Sequence, residues 1–150
     1  MEQLEQHTVK EILKKMQYID EHANSFLKKI TDSSNIDSRL QEQISFEVVE
    51  GSSPDFLARV HHEICYVKFS HVVKDKQLMG IFQAFLFARP TFGTQQLKET
   101  AIWEFQFDER GAGKLGGNDM QCKSALINDQ TNYDAIYSIA SAVQAALQVN

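Results

Sequence analysis

The stretch FLARVHHEICYVKFSH, Phe56 to His71, decides how the middle of this chain is read. β-Branched and aromatic residues dominate it, and it reads as one strand over about 56–72. Alternation then puts Phe56, Ala58, Val60, His62, Ile64, Tyr66 and Lys68 on one face. Arg59, His61, Glu63, Cys65, Val67, Phe69 and His71 fall on the other. The apolar members change face near Ile64–Val67, so a bulge or strong bend is expected there.

The same stretch raises a question of chemistry, because it concentrates histidines beside a glutamate and a cysteine. His61 and Glu63, two apart on a strand, would lie about 6.6 Å apart on one face and could share a metal or a proton. Cys65 would stand about 13 Å from His61 along the strand, and His71 farther still, so the run cannot close a metal site alone. A strand face is the expectation, with no metal and no cofactor; His61 and Glu63 are its candidate polar site. Neither Cys65 nor Cys122 has a neighbour in sequence that would lower its thiol pKa, and both read as structural.

Outward from this stretch, strand candidates fall at about 44–50, 78–89, 99–109 and 119–127. GSSPD, KDKQ, PTFGTQQL and the glycine-rich RGAGKLGGN separate the five. Connections this short favour antiparallel neighbours, since a parallel pair needs a crossover of a dozen or more residues. Residues 2–31 read as one helix, with Val9, Ile12, Met16, Ile19, Ala23, Phe26 and Ile30 in alternating three- and four-residue steps. That stripe suits packing across a sheet, and its three heptads also allow a coiled-coil dimer. TDSSNIDS, 31–38, breaks the helix. A second helix is expected over 131–148, started by Thr131 with Asp134 three residues on. The predicted fold is a single α+β domain over 1–150: a long N-terminal helix, a five-strand antiparallel meander and a C-terminal helix, both helices on one sheet face.

Two strands show which faces are buried. In 99–109, Ala101, Trp103, Phe105 and Phe107 share one face and Thr100, Glu104, Gln106 and Asp108 the other, an apolar-in, polar-out pattern. In 119–127, Met120, Cys122 and Leu126 oppose Gln121 and Lys123. The strand 78–89 is apolar on both sides. Leu78, Phe82, Ala84 and Leu86 alternate with Met79, Ile81, Phe85 and Phe87. Whichever set meets the helices, the other leaves large apolar groups on the opposite face, so a partner, ligand or second subunit is expected to cover it.

Composition narrows the function classes. The 150 residues carry a formal net charge of −5, 43% hydrophobic and 23% charged residues, an ordinary globular balance. Scattered Lys and Arg do not build the basic surface that nucleic acid requires. Two cysteines do not make a disulfide scaffold. MEQLEQHTVK lacks the apolar core of a signal peptide, and LMGIFQAFLFA is about half the length of a membrane helix, so a soluble cytoplasmic protein is expected. GAGKLGG is no phosphate loop: Asp108 stands where the first glycine is needed and Leu115 where Ser or Thr would hold magnesium. It reads as a hairpin turn, as does PTFG around Phe92.

With no catalytic motif, the leading expectation is a non-enzymatic protein-binding module of the small acidic inhibitor, immunity or chaperone type. Its binding surface would be Met79, Ile81, Phe85 and Phe87, and its partner another protein or a second copy. The alternative is a small-molecule binder or enzyme, with Phe82, Phe85, Phe87, Trp103, Phe105 and Phe107 lining a cavity between sheet and helices.

Overall fold

A computed structural model describes residues 4–32, 39–40, 42–51, 53–88, 96–117, 123–126 and 129–148. Helix α1 (Gln6–Ile30) is followed by β1 (Ile44–Val48), β2 (Phe56–Val60), β3 (Glu63–Lys74), β4 (Gln77–Ala88), β5 (Gln96–Leu97), β6 (Trp103–Phe107), β7 (Ala112–Gly117) and β8 (Lys123–Leu126). Helix α2 (Asp129–Ala146) follows β8. The sheet runs in the order β1-β2-β3-β4-β6-β7-β8, every pair antiparallel, and the two-residue β5 pairs with β4 beside β6. The expected class and architecture are therefore present: helix, antiparallel meander, helix.

The expected single strand over 56–72 is instead two strands. His61 and His62 both have positive φ, 52° and 67°, and turn the chain by 180° between β2 and β3. Positive φ at both central residues is the type I′ pattern, whose twist matches that of the flanking strands. Phe56 pairs with Val67 and Ala58 with Cys65, so the buried residues of both strands share one face. The change of face read near Ile64–Val67 is thus the parity shift of a two-residue hairpin and needs no bulge. Asp75 and Lys76, φ 52° and 62°, make the second such turn between β3 and β4, at the expected place.

The other correction lies in RGAGKLGGN. Only its start turns; residues 112–117 form β7, of which 113–117 pair with β6. Gly113 serves contact with the neighbouring strand. A Cβ on Gly113 would sit 1.6 Å from the carbonyl oxygen of Gln106, so no side chain fits. β8 pairs Lys123 with Leu115 and Leu126 with Ala112. Met120, Cys122 and Phe92 lie outside the described residues.

Both helices lie on the face that carries Trp103, Phe105 and Phe107, as expected. In α1 the stripe divides. Ile19, Ala23, Phe26 and Ile30 are buried on the sheet, while Val9 and Leu13 remain 41% and 59% exposed. The C-terminal half of the coiled-coil seam is thereby used inside the fold. Phe26 stands at the centre of the core, its ring centroid 6.3 Å from Phe56, 5.0 Å from Phe82 and 5.3 Å from Phe105. Gly80 lets α1 come close, since a Cβ there would meet Phe107 Cζ at 2.6 Å and Ile19 Cγ2 at 2.9 Å. Polar contacts tie the same helix down. Asp20 Oδ1 lies 2.7 Å from His71 Nε2. His22 Nε2 donates to the Glu109 carbonyl at 2.9 Å, and Lys15 Nζ reaches the Glu109 carboxylate at 3.6 Å.

Helix α2 begins at Asp129, so Thr131 lies within it rather than capping it. Ala135, Ile136, Ile139, Ala140, Ala142 and Val143 are buried, and the small residues allow close approach to β6 and β7. The indole N–H of Trp103 donates to the Ser138 hydroxyl. No helix among the described residues is long and apolar enough to cross a membrane.

Candidate functional site

Strand register resolves the two-sided character of β4. Leu78, Phe82, Ala84 and Leu86 belong to the core against the helices. Met79, Ile81, Phe85 and Phe87 face the other way, toward the outer side of the sheet. They are not, however, one patch. Along β4 they are separated by half-buried Gln83, and Ile81 is already covered, at 5% exposure.

The outer apolar surface runs across the strands instead. Leu57 pairs with Tyr66 and Tyr66 with Phe85, giving one cross-strand row. Ile64 and Phe87 follow two residues along β3 and β4, and Phe87 pairs with Leu97 on β5. Leu57, Ile64, Tyr66, Phe85 and Phe87 are each half-buried and Leu97 is exposed. Two of the six, Phe85 and Phe87, were candidates from sequence. Leu57, Ile64 and Tyr66 could be assigned only once Phe56–His71 was split into a hairpin. Their signal was the parity shift itself.

The next row is polar. Lys68, Gln83 and Glu104 are cross-strand neighbours and bound the patch on one side. On another, a shallow groove of about 160 Å³ is lined by Ser45, Glu47, Leu57, Arg59 and Ile64.

The patch has a rigid anchor. Tyr66 donates its phenol proton to Asp55 Oδ2 at 2.6 Å. Asp55 Oδ1 accepts from the backbone N–H of Phe69 at 2.8 Å and from the Ser53 hydroxyl at 2.9 Å. The hydrogen bond to Asp55, then burial and the nearby negative charge, push the Tyr66 phenol up to about 12. It stays protonated and fixed, and this geometry makes it a contact group rather than a base.

The polar candidates come apart. His61 sits in the hairpin turn, its Nε2 2.9 Å from the amide nitrogen of Gln144 on α2. Glu63 is the first residue of β3, opposite Val60, so the two do not share a strand face. Among the described residues no group of three or more His, Cys, Asp or Glu side chains could hold a metal ion. Cys65 is in the core, where burial and then Glu63 push its thiol up to about 12. The rings of the alternative reading divide as well. Phe82, Trp103, Phe105 and Phe107 are buried. Phe82, Phe105 and Phe107 pack on one another at 5.2 and 6.0 Å, whereas Phe85 and Phe87 stand on the opposite side of the sheet.

Fold and surface together define an α+β chain with one complete helix-covered core and a second, half-open aromatic face. Comparison with known proteins adds no relative: no family model, no curated protein and no solved structure matches this chain.

Proposed function

We propose that this chain is a non-enzymatic protein-binding module, acting in the cytoplasm in the manner of a small inhibitor, immunity protein or chaperone. A partner protein docks on the outer face of the sheet. One observation carries the reading: β4 has already given one apolar face to the core, yet Tyr66, Phe85 and Phe87 still line up with Leu57, Ile64 and Leu97 on the other. Half-buried aromatic groups on rigid strands, with a polar row beside them, are the anchors that dominate binding energy at protein interfaces. The tied-down phenol of Tyr66 adds to this, because a side chain fixed before binding loses little entropy on docking.

Crosslinked capture from the source cell tests the reading, with the wild-type chain and a Phe85→Asp variant as baits. A partner held by the first and lost from the second, with both baits folded by circular dichroism, is the expected outcome. Identical captured sets would refute docking through this face.

A further inference from the structure

A different surface, the outer edge of β1, carries its own inference and does not depend on the apolar patch. β1 ends the sheet, and its sequence, ISFEV, contains no lysine, no proline and no bulge, three of the devices that keep edge strands from pairing; its one charge is Glu47. The hydrogen-bond parity of this edge follows from the ends of its ladder. His61 N–H donates to Gln43 C=O and Val49 N–H to Asp55 C=O, both at 3.2 Å. Because bonded and non-bonded pairs alternate, Ser45 and Glu47 direct their backbone groups toward β2. Those of Ile44, Phe46 and Val48 point away from the sheet. Ile44 N–H is taken by Leu40 C=O at 2.9 Å. Among the described residues, the N–H and C=O groups of Phe46 and Val48 have no partner on this side.

We propose that β1 pairs antiparallel with β1 of a second copy of this chain, about a two-fold axis at Phe46, making one continuous sheet. In that register Phe46 N–H donates to the second copy's Phe46 C=O, and Val48 N–H to its Ile44 C=O, each with its symmetry mate. Ile44 N–H keeps its bond to Leu40 C=O, so Val48 C=O gains no donor in this register and the contact rests on the Phe46 pair and on Val48 N–H. On the helix side Val48, 50% exposed in the single chain, meets the buried Ile44 of the second copy, and Phe46 meets Phe46.

Charge fits the same register. On the outer side Ser45 stands opposite the second copy's Glu47, and Arg59 is the cross-strand neighbour of Ser45. The row therefore reads Arg59, Ser45, then Glu47 of the second copy. Strands about 4.8 Å apart put Arg59 and that glutamate about 10 Å apart at Cα. The small Ser45 between them leaves their long side chains room to meet. Arg59 and Glu47 have no ion-pair partner among the described residues, and both line the groove that opens over Ser45. A two-fold axis normal to the sheet keeps the helices of both copies on one side and sets both outer apolar patches on the other. A partner of the proposed kind would then meet two patches at once.

The contact is short, so association is weak and reversible. Light scattering of the full chain, from micromolar to millimolar concentration, should show mass rising from the 17.1 kDa of one chain toward twice that value. Glu47→Arg places like charges across Ser45 and should raise the dissociation constant at least about tenfold. Adding Arg59→Glu to it should restore association to within about threefold of wild type, which a merely misfolded variant could not do. Val48→Pro removes an outward N–H and should also block pairing while preserving the circular dichroism spectrum. A wild-type mass that stays monomeric throughout overturns the proposal. So does a dimer indifferent to both Glu47→Arg and Val48→Pro, which would place the contact elsewhere.

Discussion

The phenol of Tyr66 and the carboxylate of Asp55, eleven residues apart in sequence, meet at 2.6 Å on the outer side of the sheet. Asp55 precedes β2, where the β2–β3 ladder stops at Phe56. It continues that ladder by accepting the next free N–H of β3, that of Phe69. One carboxylate thus seals a strand edge and fixes a ring of the apolar patch. Asp55→Ala should cost about 1–3 kcal/mol, the range for a buried donor left unsatisfied, measured by urea unfolding. A loss below about 0.5 kcal/mol would show that water replaces the carboxylate freely.

The pH dependence of that contact has a definite sign. The Tyr66 phenol is raised in the folded state, from 10.0 to about 12. Its stabilising contribution is present below the unfolded value and is lost as pH rises through that window. Ultraviolet titration of phenolate should show one tyrosine ionising late in the wild type and moving back toward 10.0 in Asp55→Ala.

Cys65 follows the same sign for a different reason, since burial disfavours its thiolate. Its thiol should react with an aromatic disulfide reagent only as fast as the protein opens, from neutral pH up to the ordinary thiol value of 9.0. Rapid labelling of Cys65 in the folded chain, located by peptide mass mapping, would contradict its place in the core.

Trp103 and Ser138 join sheet to α2. Trp103, 1% exposed, should cost about 3–5 kcal/mol when replaced by Ala. Ser138→Ala should cost about 1–3 kcal/mol, because it leaves the indole N–H without its acceptor. Thermal unfolding followed by tryptophan fluorescence reads the second directly.

The hairpin turn offers a gain. His62 holds φ at 67°, a region that carries a cost of about 1–2 kcal/mol for a residue with a Cβ. His62→Gly should raise stability by roughly 1 kcal/mol after the entropy glycine adds to the unfolded chain. A destabilised variant would mean that the imidazole makes a contact outweighing the strain.

Much of this architecture was legible from residue order. The apolar stripe of α1 and the inward face of Trp103, Phe105 and Phe107 follow from periodicity, and the Asp75–Lys76 turn from the polar KDKQ between two apolar runs, all of them local properties. Positions where local rules conflict were harder. His-His lacks the Asn-Gly character of a two-residue turn, so residue order alone runs β2 and β3 together. Gly113 reads as a loop residue in sequence because its reason for being glycine is the Gln106 carbonyl on another strand. The patch is the least legible part, since Met79, Ile81, Phe85 and Phe87 are neighbours along a strand, whereas Leu57, Tyr66 and Phe85 become neighbours only through cross-strand register.

The central claim is that the helix side of β4 builds the protein and the outer side binds. Its most direct measurement is photo-crosslinking in the source cell, with a benzophenone amino acid at Phe87 and, as a control, at the exposed Val73 on the opposite face. The account predicts a discrete adduct to another polypeptide from position 87 and none from position 73. Adducts of equal yield at both positions, or none at 87 in a folded and expressed chain, would contradict it.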